Sequence, residues 1–370
     1  MKIAIVHDFL NQYGGAERVV EALHEIYPSA PIYTTIYLPE NLPESFKQMD
    51  IRTSFMQKLP FLDRHFKKYL LLYPWAVESF DLTDYDVILS SSSAFAKGVR
   101  TAAGTCHICY CYTPMRFAWD YKRYIEKEDF GFLLRAAIRL STLILKKWDL
   151  KVNSTVNHFV AISELVKNRI KDIYKRSSDV IYPPVNCHSF EISNQTDNFY
   201  LVLSRLNAYK RIDIVVEAFN KLELPLKIIG GGPCMNKLRQ MANKNITFTG
   251  RLSDEELVDN ISKCKALIFP GIEDFGIVPL EAQSAGRPVI AFASGGALET
   301  IINGKTGIFF DYQTPESLIE AVNKFEVIKD SFVPSEIRKN ALKFNKDRFK
   351  REIKEYIESK CRENIRQNAL

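Results

Sequence analysis

The strongest constraint on this chain is a pattern that it runs through twice. Short apolar runs without polar alternation are each closed by a polar or glycine-containing loop and followed by an amphipathic helix. Unbroken apolar runs suit strands covered on both faces, and strand–helix alternation specifies a parallel α/β sheet. In the first pass the strand runs are 2–6, 31–37, 87–91, 106–112 and 158–162. The first helix covers 16–27, with Val19, Val20, Leu23 and Ile26 along one face. Tyr182-Pro183-Pro184-Val185-Asn186 is a stiff breaker. The pattern then restarts, with strands over 199–204, 226–229, 246–249, 266–269 and 289–292. Helices are expected over 211–222, 236–243 and 254–263, and again from Pro279, since proline favours the first helical position. The expected fold is α/β with two Rossmann-like domains, 1–181 and 187–335, joined by the linker 182–186. Charged helices over 336–370 are expected to pack back toward the first domain. A length of 370 residues fits two domains of ~150 residues each. Two such sheets imply a cleft lined by the C-terminal ends of strands, where α/β sheets bind ligands.

Composition removes several classes. No apolar run nears the ~20 residues that span a bilayer, and Lys2 precedes only four apolar residues before His7 and Asp8, unlike a signal peptide. The formal charge of +6 is too mild to indicate nucleic acid as a partner. The seven cysteines are scattered and odd in number, and Cys106, Cys109 and Cys111 lack a second ligand pair for zinc, so reduced thiols in the cytoplasm are expected.

The chemistry concentrates in the second half. In Phe269-Pro-Gly-Ile-Glu-Asp-Phe-Gly-Ile-Val-Pro-Leu-Glu281, a strand ends, a loop carries Glu273, and Glu281 is expected in the first turn of the next helix. Gly276 lets backbone approach a ligand, and the helix start offers unpaired N–H groups and a positive dipole end to a phosphate or sugar oxygen. Ser204-Arg205-Leu206-Asn207-Ala208-Tyr209-Lys210-Arg211 places three cations at a strand end and a helix start, which suits a diphosphate. Each segment alone also reads as a capped helix or a surface ion cluster. Asp84-Tyr85-Asp86 has the letters of a metal site but precedes a strand and reads as a turn. Neither Gly14-Gly15 nor Gly230–Gly232 supplies the spacing of a dinucleotide fingerprint, which disfavours a nicotinamide oxidoreductase.

Together, Glu273-x7-Glu281, Ala282, Gly286-x-Pro288-Val289, the Gly230–Pro233 loop and Gly14-Gly15 resemble the glycosyltransferases of family 4 over almost the whole chain. His7-Asp8…Gly14-Gly15-Ala16-Glu17-Arg18 and Cys109-Tyr-Cys-Tyr-Thr-Pro-Met-Arg-Phe-Ala-Trp-Asp120 look most like O-antigen (lipopolysaccharide) mannosyltransferases. The resemblance implies the GT-B fold of two facing α/β domains, retention of anomeric configuration and no required metal or other cofactor. It also implies roles. Arg205 and Lys210 would hold the donor diphosphate, Glu281 the ribose, and Glu273 the transferred sugar, with backbone of Phe275, Gly276 and Ile277 near its hydroxyls. Gly14 and Gly15 would approach the distal phosphate, while Gly231, Gly232, Arg251 and Leu252 would border the base. Asp8, Tyr112 and Arg116 fall on the acceptor side. Tyr112 stands where many relatives have a histidine held to touch the transferred sugar, so it joins Glu273, Arg205 and Lys210 as a catalytic candidate. His107, on the opposite strand face from Tyr112, reads as a packing residue.

The reaction implied is transfer of mannose from GDP-mannose, or of a sugar from a dTDP or UDP donor, to a hydroxyl of a glycan on a polyprenyl diphosphate lipid. An epimerase or hydrolase on the same scaffold would be expected to carry a different set of C-terminal side chains. A non-catalytic sugar-nucleotide-binding or membrane scaffold is the alternative from another class. Residues 51–180 carry 21 basic and 13 acidic groups, an excess of eight. This stretch also holds the aromatic run 61–80 and a helix expected over 131–148 with Arg135, Arg139 and Lys146 on one stripe. A cationic amphipathic helix of this kind suits an anionic lipid surface, so the enzyme is expected at the cytoplasmic face of the inner membrane.

Overall fold

The computed structural model describes residues 1–120, 132–193 and 195–368. The chain divides into two compact units, one of Met1–Pro184 with Asp347–Leu370, the other of Val185–Lys346.

Among the described residues, the first unit holds a seven-stranded sheet in the order β3-β2-β1-β4-β5-β6-β7. The strands are β1 (Ile3–His7), β2 (Ile32–Thr34), β3 (Ile51–Thr53), β4 (Val87–Ser92), β5 (Cys106–Cys111), β6 (His158–Ala161) and β7 (Ser178–Val180). Every pairing is parallel, with β1 against β4 from Ile3–Val87 to His7–Ser91. Helices cover both faces, so Ala4, Ile5 and Val6 are all fully buried, as their unbroken apolar run requires. The strand order reverses at β1 and β4, which makes the loops after these strands the natural binding position of this sheet.

The second unit repeats the design as β10-β9-β8-β11-β12-β13. Its strands are β8 (Tyr200–Leu203), β9 (Leu226–Ile229), β10 (Ile246–Gly250), β11 (Leu267–Phe269), β12 (Val289–Phe292) and β13 (Gly307–Phe310). Its core joins Tyr200, Val202, Ile228, Ile268 and Ile290 of the sheet to Val215, Phe219, Leu318 and Phe325 of the covering helices. The order reverses between β8 and β11.

Three strands were not anticipated, and all three lie at sheet edges: β3, β7 and β13. Ile51-Arg-Thr53 and Ser178-Asp-Val180 carry too few apolar residues to stand out. The domain limits also shift. The helix Pro334–Leu342 stays with the second unit, because Asn340 Nδ2 donates to Gln283 Oε1 at 2.8 Å and to the Thr300 carbonyl at 3.0 Å. Val185 pairs with Asn345 in that unit as well. From Asp347 onward the last helix, Lys346–Asn368, belongs to the first unit. There Arg348 donates to the Tyr182 carbonyl at 2.9 Å, Lys350 pairs with Glu25 at 3.1 Å, and Asn364 Nδ2 donates to the Gly104 carbonyl at 2.9 Å.

All seven cysteines are free thiols, six of them buried. Asp86 accepts from the Lys2 N–H at 2.7 Å and so ties the turn before β4 to the start of β1. Among the described residues, no helix is long and apolar enough to cross a membrane.

Candidate active site

In the second unit, four loops meet at the C-terminal edge of the sheet. After β8 the chain passes Ser204 and the exposed Arg205, makes one 3-10 turn over Ala208–Lys210, and enters the helix Ile212–Leu222 through Arg211 at φ 56°. The Lys210 ammonium pairs directly with Glu273 Oε1, which arrives on the loop after β11; the two side chains are 14% and 21% exposed. Lys210 Nζ also lies 5.2 Å from the centroid of the Tyr209 ring. The two halves of the sequence signal, 63 residues apart, are thus one cluster (positions 210 and 273).

The glycine loop after β9 lies against the first of these segments. The Leu206 N–H donates to the Gly231 carbonyl at 3.0 Å, and a Cβ on Gly232 would stand 2.6 Å from the Leu206 carbonyl oxygen. Gly230 has φ +125°, open to glycine alone, and its N–H donates to the Gly250 carbonyl at 2.7 Å. That bond places Arg251, exposed, and Leu252, half-buried, immediately after the neighbouring strand end.

The next helix differs from expectation. It runs Ile277–Ser284, with Gly276 at φ 90° as the residue before its first turn, so Pro279 is the third helical residue and Glu281 the fifth. Glu281 therefore sits in the second turn and is 5% exposed. The cause is Gly276: its left-handed conformation starts the helix two residues earlier than a proline-first reading allows. The first turn still presents N–H groups of Ile277, Val278 and Leu280, Pro279 having none.

Sequence reasoning missed Gly295 and Gly296. The Gly296 N–H donates to the Glu273 carbonyl at 2.9 Å, and a Cβ on Gly295 would lie 2.5 Å from that same oxygen. A glycine doublet directly after the β12 run was the available signal. Gly271 lies against Lys210 less tightly, since a Cβ there would sit 3.4 Å from the Lys210 carbonyl oxygen in ordinary contact. Arg287 is a framework residue, its guanidinium donating to the Ser262 carbonyl at 2.7 Å and the Gln195 carbonyl at 2.6 Å.

In the first unit the candidates also gather at the reversal point. Gly14 precedes the helix Gly15–Ile26, whose start lies beside the ends of β1 and β4. Asp8 is 1% exposed and both its oxygens are occupied. Oδ2 accepts from Ser93 N–H, Ser93 Oγ and Ala94 N–H, and Oδ1 from Phe95 and Ala96 N–H, at 2.6–3.0 Å. Asp8 thus anchors the loop after β4 to β1, with its oxygens turned to backbone rather than to an acceptor. The Tyr112 hydroxyl meets Ser91 Oγ at 2.7 Å and donates to the Ala16 carbonyl at 3.0 Å, and burial pushes its pKa well up. Arg116 opens the short helix Arg116–Trp119. His107 is fully buried, with Nε2 2.8 Å from Ser90 Oγ, and burial lowers its pKa to about 4, as a packing histidine requires.

The second unit therefore presents cations, two carboxylates and helix N–H groups around glycine-lined backbone, a surface able to take a diphosphate and a polyhydroxylated group together. Among the described residues, no three His, Cys, Asp or Glu side chains converge as metal ligands.

Comparison with known proteins gives a family match in each half of the chain. Residues 13–189 match the model of "Glycosyltransferase Family 4" and residues 188–344 that of "Glycosyl transferases group 1". An uncharacterized glycosyltransferase of Methanocaldococcus jannaschii is 30% identical over 50% of this chain and 54% of its own. O-antigen chain mannosyltransferase C of Escherichia coli is 32% identical over 35% and 37%. The GDP-mannose-dependent alpha-(1-6)-phosphatidylinositol monomannoside mannosyltransferase of Mycobacterium tuberculosis is 34% identical over 35% and 39%. The chain spans about half or less of the length of these relatives. Among solved structures, Anabaena HepE in complex with UDP superposes with a TM-score of 0.73 at 16% identity, covering 97% of this chain and 100% of that one.

Proposed function

Because the chain belongs to the glycosyltransferases, Family 4 in its first half and group 1 in its second, we propose that it transfers a hexose, mannose from GDP-mannose before others, to a hydroxyl of a lipid-linked glycan. Its two parallel sheets are those of the GT-B fold. The observation that carries the reading is the Lys210–Glu273 pair at the reversal point of the second sheet, enclosed by the glycine loops after β9 and β12.

The roles follow from charge. Breaking the bond between sugar and nucleotide leaves a diphosphate, and its growing negative charge is met by Arg205, Lys210 and the N–H groups at the start of Ile277–Ser284. Glu273 receives sugar hydroxyls, Glu281 the ribose, and the Gly231–Gly232 and Arg251–Leu252 backbone borders the base. With cations taking the diphosphate, no divalent metal is needed, and the departing phosphate accepts the acceptor's proton on the face it leaves, which retains configuration.

In the test, purified protein is incubated with GDP-mannose, UDP- and dTDP-sugars in EDTA while transfer and donor hydrolysis are followed. GDP at 100 times its dissociation constant should stabilise the protein by ~2.7 kcal/mol in a thermal scan. Absence of transfer, hydrolysis and thermal shift with every donor would overturn the enzyme reading in favour of a scaffold. Activity lost in EDTA and restored by Mg²⁺ would overturn the metal-free one.

A membrane surface is the second half of the proposal. The helix Phe132–Val152 buries Thr142, Leu145 and Asp149, yet exposes Leu140 (62%), Leu143 (53%) and Ile144 (49%) beside Arg139 and Lys147. Gly131 and the Arg135 side chain lie outside the described residues, and Lys146 lies over the Trp119 ring at 5.0 Å. Apolar side chains turned outward among cations fit an anionic lipid surface better than a solvated stripe. The adjoining 3-10 run Phe66–Leu72 adds exposed Leu71, and the helix after it adds Trp75, 68% exposed. Liposomes containing anionic lipid should float the protein at low salt, and Leu140→Gln with Leu143→Gln should reduce flotation severalfold. A protein that stays at the bottom of the gradient at low salt has no such surface.

A further inference from the structure

One buried polar cluster in the first unit has no role in the scheme above. His7 ends β1 and is 3% exposed; Glu17, on the first turn of Gly15–Ile26, is also 3% exposed. His7 Nδ1 lies 3.1 Å from the Ser91 carbonyl oxygen and 3.0 Å from Ser91 Oγ. A carbonyl oxygen only accepts, so Nδ1 carries a proton. Nε2 faces Glu17 Oε1 at 3.6 Å. Ser91 Oγ in turn meets the Tyr112 hydroxyl at 2.7 Å, and that hydroxyl donates to the Ala16 carbonyl at 3.0 Å. A Cβ on Gly14 would come 3.2 Å from Glu17 Oε2. The chain of contacts therefore starts and finishes on the helix that follows Gly14 and whose first residues are Gly15, Ala16 and Glu17.

We propose that His7, Glu17, Ser91 and Tyr112 are positioning residues for transfer: the tetrad ties the start of the helix Gly15–Ile26 to the ends of β1 and β4 and so fixes the backbone of Gly14-Gly15. It rests on the reading that this backbone meets the donor's distal phosphate. Glycine at both positions leaves the loop without side-chain restraint of its own, so the restraint comes from below. Tyr112 acts here through its hydroxyl bonds to Ser91 and Ala16. The inference accounts for a tyrosine at this place: its phenol reaches the Ala16 carbonyl while still bonding Ser91.

Glu17→Gln removes the charge facing His7, and Tyr112→Phe removes the two hydrogen bonds of the hydroxyl; both conserve shape. Each should lower kcat at least tenfold, lower GDP affinity by less than kcat falls, and keep a cooperative thermal transition. Glu17→Asp, which keeps the charge, should recover part of the loss. If both variants fold and retain wild-type kcat, the tetrad has no positioning role. Loss of kcat together with loss of the cooperative thermal transition in both variants assigns these residues a merely structural role and also overturns the proposal. In wild-type protein, ¹⁵N NMR of labelled histidine gives a readout that needs no variant: His7 should show a protonated Nδ1, and a neutral ring protonated at Nε2 alone would overturn the proton assignment. Lys210→Ala runs alongside. If that variant keeps full activity, the donor-site reading itself fails; if it is inactive while Glu17→Gln is normal, only the tetrad fails.

Discussion

Lys210→Ala should lower kcat/KM for sugar transfer by roughly 10- to 150-fold while the protein stays folded. The range follows from one charge-assisted hydrogen bond to the diphosphate, about 1.5–3 kcal/mol. Two features of the structure place the effect in chemistry rather than in folding. The Lys210 side chain is 14% exposed and its carboxylate partner 21% exposed, so each still reaches solvent and is not stranded in a dry interior when the other is removed. The loop that carries it is held independently, by Leu206 bonded to Gly231 and by the Cys234 N–H bonded to the Leu206 carbonyl at 3.0 Å. Removing the ammonium also leaves Glu273 without its cation, which weakens the carboxylate's fit to a ligand that is itself anionic. Lys210→Arg should recover part of the rate, since charge returns but the planar fork cannot occupy the same point. Steady-state transfer kinetics with a thermal scan of each variant decide the matter. A folded Lys210→Ala protein within twofold of wild type would remove Lys210 from the diphosphate.

The sequence made this cluster visible because its parts are written in residue types with few structural uses. Two glutamates at a strand end and helix start, cations after a strand, and glycines at loop positions are all local signals. What it concealed is long-range. Gly295 and Gly296 are significant only because they lie on the Glu273 carbonyl, a contact set by strands β11 and β12 pairing in register. The helix start moved from Pro279 to Ile277 because backbone at Gly276 adopts a conformation that proline statistics cannot anticipate. Asp8 was legible as a polar residue at a strand end, but the five donors that occupy it come from 85 to 88 residues later. Edge strands β3 and β7 were invisible for the opposite reason: with one neighbour each, Ile51–Thr53 and Ser178–Val180 need little apolar character to pair.

The largest stability effect should come from Asp149→Asn, at about 3–5 kcal/mol, because it breaks a buried ion pair on one side only. Lys97 is 1% exposed and Asp149 is fully buried, with Nζ and Oδ1 2.5 Å apart. Burial alone would pull the Lys97 pKa down, but the charge and hydrogen bond of Asp149 hold it above its ordinary value. Asp149 Oδ2 accepts from Trp119 Nε1 at 2.7 Å and Tyr174 hydroxyl at 2.8 Å, so this carboxylate joins three helices of the first unit. Asparagine keeps an oxygen for those donors and nearly the same volume, which confines the change to charge. The Lys97 ammonium would then keep the Ala94 carbonyl, 2.7 Å away, and the Tyr174 ring, whose centroid is 5.5 Å away, but no anion in a buried site. Lys97 directly follows Ala96, whose N–H is bonded to Asp8, so strain at this position passes to the anchored loop after β4. Lys97→Met should cost a similar amount, since it strands the carboxylate instead. The double variant Lys97→Met with Asp149→Leu should recover much of the loss, because hydrophobic replacement of a whole buried pair is often neutral. Urea titration followed by tryptophan fluorescence measures all three, with Trp119 and Trp148 both reporting from this region. An Asp149→Asn variant within 1 kcal/mol of wild type would mean that water or another group already compensates Lys97.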